Sequence, residues 1–189
     1  MNRTLDEYEK IYWPKGEEIL GIDEAGRGPL CGPLVVAGCI LPISFESELI
    51  DDSKRLSAKK RKKAFKEILN NALYYNVKIV SNKRIDELNI YKATQSAMEK
   101  IAKEAFAKIV LTDAMPLNIE DKKVIPIVKG DHKSINIAAA SIIAKVIRDG
   151  IMMKLDEKYP EYELRKHKGY PTKRHMELLS RYGLKDFYR

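Results

Sequence analysis

Cysteine is scarce in this 189-residue chain. The two present, Cys31 and Cys39, lie in what reads as a turn followed by a strand. At about 3.3 Å per extended residue they stand too far apart for a disulfide, and a reducing cytoplasm is the expected setting. Histidine is nearly as sparse. His132, His167 and His175 have no cysteine partners at zinc-site spacing, so surface or supporting roles are expected of them. Long apolar runs are missing too: the best, residues 34–41, is far too short to span a bilayer, and the opening MNRTLDEYEK is charged rather than apolar. No export or membrane segment is therefore expected. There is no GxxxxGK phosphate loop, Gly26-Arg27-Gly28 does not complete a GxGxxG fingerprint, and no serine sits in a GxSxG elbow. Nucleotide-loop and serine-hydrolase chemistry drop out.

What the chain does have is positive charge. A net +8 and a pI near 9.3 favour a polyanionic partner such as nucleic acid. The length suits one well-buried domain with at most a small appendage.

Strand and helix patterns alternate. Leu5, Tyr8, Ile11 and Tyr12 fall at helical spacing and predict a short helix ending before Pro14. Strands are predicted at 19–22, 34–41, 74–80 and 108–112, with a further short strand at 124–128 that Pro126 confines to an edge. Ser57 reads as the N-cap of a helix running to Asn71, with Ala64, Phe65, Ile68 and Leu69 on its apolar face. Residues 59–63, KKRKK, cover its first turns and read either as a solvated face or as a phosphate-facing patch. An amphipathic helix is expected over 90–107, a long one over 133–159 opened by Lys129-Gly130-Asp131, and another over 172–182. The pattern predicts an α/β domain with helices on both faces of a mixed sheet and a helical extension at the C-terminus.

Several carboxylates share one feature: each lies where one element hands over to the next. Asp23 and Glu24 follow the first strand and enter a glycine-rich turn around Arg27. Asp113 ends a central strand, and Asp131 opens the long helix. Sites in open α/β sheets form at the carboxyl ends of adjacent strands, so these acids can converge. Clustered carboxylates repel one another unless a cation sits between them, and paired divalent ions suit phosphodiester hydrolysis. Duller readings stand beside this one: Asp131 as a helix N-cap, Asp113 as a turn residue, and Asp23 and Glu24 on opposite faces of a strand. Asp23 is the favoured bridging ligand. Asp149, near Lys145 and Arg148, reads as a structural ion-pair partner.

In order along the chain, GIDEAGRGPLCGPLVVA, DDSKRLSAKKR, LTDA, KGDHKSINIAAASIIAKVIRD and HKGYPTKRH resemble ribonuclease HII, the type 2 ribonuclease H, in its bacterial form. The resemblance spans residues 21–175. It implies a ribonuclease H-like fold, a five-stranded mixed sheet flanked by helices, with residues 1–154 forming the catalytic domain and 155–189 a helical region that helps hold substrate. It implies Mg²⁺- or Mn²⁺-dependent hydrolysis of the RNA strand of RNA/DNA hybrids, and incision 5′ of single ribonucleotides embedded in duplex DNA, leaving 3′-hydroxyl and 5′-phosphate ends. Ribonucleotide excision repair, in a monomer with no membrane association, follows as the expected setting.

By the same resemblance the catalytic and metal-holding acids are Asp23, Glu24, Asp113 and Asp131. Gly26, Arg27 and Gly28 match a motif that reads the ribose 2′-hydroxyl, and Tyr170 matches a ring that stacks at the RNA-to-DNA junction. Lys54 matches a phosphate contact, and Asn89, Lys145 and Lys168 are further candidates for backbone contacts. Two departures sit around the third acid, where family members commonly carry an aliphatic residue before it and glycine after it; here they are Thr112 and Ala114. A DNA nuclease of the same fold and a hybrid-binding protein without activity are the rivals. The GRG turn and Tyr170 argue against the first, and the full set of acids against the second.

Overall fold

The structure, a computed structural model, describes residues 5–51, 53 and 55–189. Its centre is a five-stranded sheet in the order β3-β2-β1-β4-β5. The central strand β1, Ile19–Ala25, is antiparallel to β2, Leu34–Ile40, and parallel to β4, Ile109–Asp113. The outer strands are β3, Tyr74–Val80, and β5, Lys123–Ile127. Pro126 is tolerated in β5 because an edge strand leaves one side of its backbone unpaired. β1 runs to Ala25 instead of ending at residue 22, so Asp23 and Glu24 are strand residues, paired with Ala37 and Val36 of β2.

Alternation along the strands divides the core in two. Leu20, Ile22, Val36 and Val110 pack beneath α4, Ile90–Glu104, and α3, Asn82–Leu88. Val35, Ala37 and Cys39 face α5, Ile135–Lys158, and α2, Ala58–Asn71. Burying each Ile or Leu contributes roughly 2 kcal/mol, and these two layers clamp the sheet from both sides. α2 begins where expected, its Ser57 Oγ accepting the Lys60 N–H. α3 was not foreseen, because only Ile85 of its seven residues is buried and the segment carries no apolar stripe.

Two other boundaries differ from expectation. The N-terminal helix α1, Glu9–Tyr12, continues through Pro14 as a 3-10 turn, Trp13–Lys15, since proline's missing N–H does no harm in a first turn. α5 is capped by Ser134, whose Oγ accepts the Ile137 N–H. Asp131 lies upstream in a 3-10 turn, Gly130–His132, and is not the cap. Among the described residues no helix is long and apolar enough to cross a membrane.

α5 lies unusually close to β1. A Cβ on Gly21 would fall 2.1 Å from the Asn136 carbonyl carbon and 2.3 Å from the Ile137 nitrogen, so helix backbone touches strand backbone at that point. Both cysteines are buried and free. Beyond α5 come α6, Leu164–His167, and α7, Lys173–Tyr182, which pack with Tyr162, Phe187 and Tyr188 around Cys31 and Met152. His167 and His175 stack at 4.1 Å between ring centroids, and both are buried, so the surface role allowed for them is wrong. His167 Nε2 donates to the Tyr162 carbonyl while its Nδ1 accepts the Gly169 N–H. His175 Nδ1 meets the Tyr170 carbonyl and its Nε2 the Tyr188 hydroxyl. The two rings thus pin the turn that carries Tyr170.

Two outcomes follow. Ala114 sits just past β4 at φ 56°, a left-handed conformation that costs a non-glycine residue roughly 1 kcal/mol. Ala114→Gly relieves that strain but loosens the unfolded chain, so the urea midpoint should rise by the equivalent of about 0.5 kcal/mol; a lower midpoint would remove strain as the explanation. Burial first, and then the His175 ring, hold the His167 pKa below its usual 6.5. A histidine kept neutral when folded takes its proton in the unfolded chain first, so its contribution is present above about pH 6.5 and is lost as pH falls below it. Wild type should therefore lose more stability than His167→Gln between pH 7.5 and 5.5, and parallel losses would show that His167 is not responsible.

Candidate active site

The register of the sheet builds the site. Ile22 of β1 pairs in parallel with Thr112 of β4, so the next residues, Asp23 and Asp113, stand side by side on the face that α5 covers. Both line a pocket of about 240 Å³ together with Glu24, Gly26, Arg27, Gly28, Lys145 and Tyr170. Asp23 is buried, and that burial, reinforced by the Glu24 and Asp113 carboxylates, lifts its pKa well above the usual carboxylate range; a hydrogen bond from Ser141 opposes the shift. Its Oδ1 also accepts the Glu24 N–H at 2.6 Å. Glu24 is next on the strand yet reaches the same pocket, where Arg27 approaches its Oε1 at 3.5 Å.

Asp131 is not among the residues lining the pocket. It is buried, with His132 Nε2 3.8 Å from its carboxylate. Its loop is tied to the site nonetheless, because Asp113 Oδ1 accepts the N–H of Gly130, the residue before it. All four candidate donors are carboxylates, the hard oxygen ligands that divalent cations such as Mg²⁺ prefer. The donor chemistry therefore fits. Among the described residues no three His, Cys, Asp or Glu side chains are close enough to enclose an ion, so the acids flank the pocket without forming a finished cage.

The glycine-rich turn lines the same pocket. Gly26 has φ 106°, and a Cβ there would meet the Arg148 Nε at 2.3 Å. A Cβ on Gly28 would lie 3.4 Å from the Tyr170 ring, in ordinary contact, so the ring lies against the loop at this residue. Tyr170 keeps 42% of its surface exposed, which leaves the ring open to a ligand. Lys145 is paired with Asp149 at 2.8 Å, and Asp149 also faces Arg61 at 3.7 Å, the ion-pair role expected of it. Arg61 turns inward and donates to the Ser53 and Leu56 carbonyls, whereas Lys59, Lys60, Lys62 and Lys63 stay exposed. Lys168 lies next to the Gly169-Tyr170 turn with its ammonium pKa lowered by burial, and is outside the pocket lining. Asn89 is exposed and is not among the lining residues, serving as the α4 N-cap. Lys54 lies outside the described residues.

Sequence reasoning missed four residues here. Ser53 and Ser141 are buried, line the pocket and share a hydrogen bond at 2.9 Å. Arg148, fully buried in α5, donates to the carbonyls of Cys31, Pro33 and Lys168. Arg189 donates to those of Gly26, Pro29 and Gly32. Two guanidiniums thus hold the loop 26–33 from beneath. A buried arginine within an otherwise apolar helix was the only available signal, and it pointed to Arg148 alone.

Residues 20–189 match the family model described as Ribonuclease HII. A ribonuclease HII of Francisella tularensis subsp. novicida is 49% identical over 174 residues, 90% of this chain and 94% of the relative. The crystal structure of ribonuclease H2 from Pyrococcus horikoshii superposes with a TM-score of 0.74 at 28% identity, covering 91% of this chain and 92% of that one. The ribonuclease HII in a PCNA complex from Archaeoglobus fulgidus gives 0.73 at 30%, covering 91% and 93%. Similarity of this extent means that the chain belongs to the ribonuclease HII family and is a metal-dependent endoribonuclease.

Proposed function

We propose that this chain hydrolyses the RNA strand of RNA/DNA hybrids and incises duplex DNA on the 5′ side of a single embedded ribonucleotide, leaving 3′-hydroxyl and 5′-phosphate ends. The observation that carries this reading is one pocket lined by Asp23, Glu24 and Asp113 together with the Gly26-to-Gly28 turn and Tyr170. The acids suit a phosphate with its metal ions, the turn and the ring the sugar beside it.

Asp23, Glu24, Asp113 and Asp131 would hold Mg²⁺ or Mn²⁺, with Asp23 shared between two ions. Bound there, the ions supply Lewis-acid stabilisation of charge on the phosphate. The chain's own groups do the rest. Burial, and then the Glu24 and Asp113 carboxylates, disfavour the ionised form of Asp23, and a bound cation would favour it. Gly26 and Gly28, without side chains, let backbone approach the ribose closely enough to test for a 2′-hydroxyl, and Arg27 flanks that contact. The Tyr170 ring takes the deoxyribose side of the junction. Lys145 offers a phosphate contact at the pocket, Lys168 and Asn89 offer further contacts, and Lys54 is a phosphate contact by the family resemblance alone. Residues 155–189 form the substrate-holding region over a catalytic domain made of 1–154, and the enzyme works as a monomer in the cytoplasm, consistent with its buried free thiols.

Cleavage of a labelled duplex containing one ribonucleotide, beside an all-DNA duplex and a long hybrid, tests the reading. Wild type should cut the first and third only, and chelator or Asp113→Asn should lower the rate by at least about 100-fold. Equal cutting of all-DNA would overturn the specificity, and activity surviving chelator would overturn the metal assignment.

Arg189→Met removes the guanidinium from three loop carbonyls. Small displacements of positioning groups are costly to rate, so KM for the single-ribonucleotide duplex should rise about tenfold with the metal requirement unchanged, while the melting temperature falls because three carbonyls lose their donor. An unaltered KM would free the loop from dependence on Arg189.

A further inference from the structure

The turn that presents Tyr170 is held against its own backbone preference. Lys168 has φ 53° and Gly169 φ 86°, two left-handed residues in succession, and a Cβ on Gly169 would fall 2.9 Å from both the carbonyl oxygen and the Sγ of Cys31. Such a turn persists only where its surroundings over-determine it. Gly169 is gripped from two sides: its carbonyl accepts the Leu30 N–H at 2.9 Å, which joins it to the loop 26–33, and its N–H donates to His167 Nδ1 at 3.2 Å. The Tyr170 N–H donates in turn to the His167 carbonyl at 2.9 Å. His167 therefore holds the turn through its ring and its main chain together.

Hydrogen bonding fixes where the protons of the stacked pair lie. A carbonyl only accepts, so His167 carries its proton on Nε2, against the Tyr162 carbonyl, and His175 carries its own on Nδ1, against the Tyr170 carbonyl. The other two nitrogens are acceptors, His167 Nδ1 for the Gly169 N–H and His175 Nε2 for the Tyr188 hydroxyl. These two bonds differ in kind. A hydroxyl can rotate and accept instead, whereas a main-chain N–H cannot, so a second proton on His167 sets donor against donor at Gly169. The rings lie 4.1 Å apart and 16° from parallel, so charge on both would add repulsion.

The groups around His167 do not favour that proton at neutral pH. Glu163 and Asp156 act for it, but Glu163 is paired with Lys166 and Arg174, and Asp156 with Arg165. Burial outweighs the Tyr162 carbonyl and both acids and holds the His167 pKa below 6.5. The Arg148 guanidinium bonds the Lys168 carbonyl on the far side of the turn. Cys31, Tyr162 and Tyr188 complete the cluster and are neutral in acid, burial raising all three.

We propose that His167 and His175 are positioning residues for junction recognition, and that a proton on His167 releases the Gly169-Tyr170 turn and weakens selection of a single embedded ribonucleotide. The proposal rests on the nuclease reading above. Neither ring lines the pocket; both act through Tyr170 and, by way of Gly169, through the loop that carries Gly26 to Gly28.

The unmodified protein gives the first test. With three histidines in the chain, long-range proton–nitrogen NMR spectra at pH 7.5 should show His167 protonated on Nε2 and His175 on Nδ1. The opposite tautomer at His167 would overturn the proposal whatever the enzyme cuts. The second test is kcat/KM on the single-ribonucleotide duplex divided by kcat/KM on the long hybrid, a ratio that cancels titration of the acids common to both substrates. Between pH 7.5 and 5.5 it should fall at least about threefold in wild type, through KM. It should stay flat in His167→Asn, whose amide oxygen replaces Nδ1 as acceptor and takes no proton. A constant ratio in wild type, or an equal fall in His167→Asn, would overturn the proposal and leave the nuclease reading intact. Failure to cut either substrate at pH 7.5 would overturn the reading on which it rests.

Discussion

The contact on which the rest of the structure depends is backbone against backbone, where α5 crosses β1 at Gly21. No side chain fits there, since a Cβ would lie 2.1 Å from the Asn136 carbonyl carbon. With the helix seated that deeply, Ser141, little more than one turn along, reaches the Asp23 carboxylate. At the other end Asn136 Oδ1 accepts the Leu41 N–H, which closes the end of β2. Glu9 then grips the same asparagine and Ser134 from outside. One glycine therefore sets the depth of a helix, and the depth sets which polar groups can meet the acids.

That seating carries an electrostatic penalty. Asp23 is buried beside Asp113 and Glu24, and both neighbours raise its pKa on top of desolvation. Nothing in the packing requires a carboxylate at this point, and an apolar side chain would be the stable choice in such a place. Local conflict of this kind marks functional sites, where stability is given up for chemistry. The surrounding bonds limit the damage without removing it: Asp113 is steadied by the Gly130 N–H, and Asp23 by Ser141 and the Glu24 N–H.

Much of this was legible in the sequence because strands announce themselves by unbroken apolar runs and caps by single residues. β3 spans the residues expected, Ser57 caps α2, and Pro126 marks β5 as an edge. The resemblance placed the acids, and two of them do stand together on adjacent strand ends. Errors arose where local signals competed. Asp131 and Ser134 are both good cap residues three positions apart, and only the backbone shows that the helix starts after the serine. α3 stayed hidden because a helix capped by Ser81 and Asn89 at its ends needs just one buried anchor, Ile85. Arg189 was unreadable in principle, since its partners at Gly26 and Gly32 are some 160 positions away.

The two buried guanidiniums complete the logic of the pocket. Among the described residues both Arg148 and Arg189 donate to main-chain carbonyls and to no carboxylate. Carbonyl dipoles satisfy their hydrogen-bonding needs but leave their charge in place. Burial, and then the proximity of Arg148, lower the Arg189 pKa only to about 10, so at neutral pH it stays ionised. A positive field therefore rises through the glycine-rich loop, while Asp23, Glu24 and Asp113 line the same pocket with carboxylates that call for cations. On the proposed reading, a phosphodiester in this pocket would lie close to the fixed charge of Arg148 and Arg189 and would meet Asp23, Glu24 and Asp113 with metal ions between, because carboxylates alone repel a phosphate.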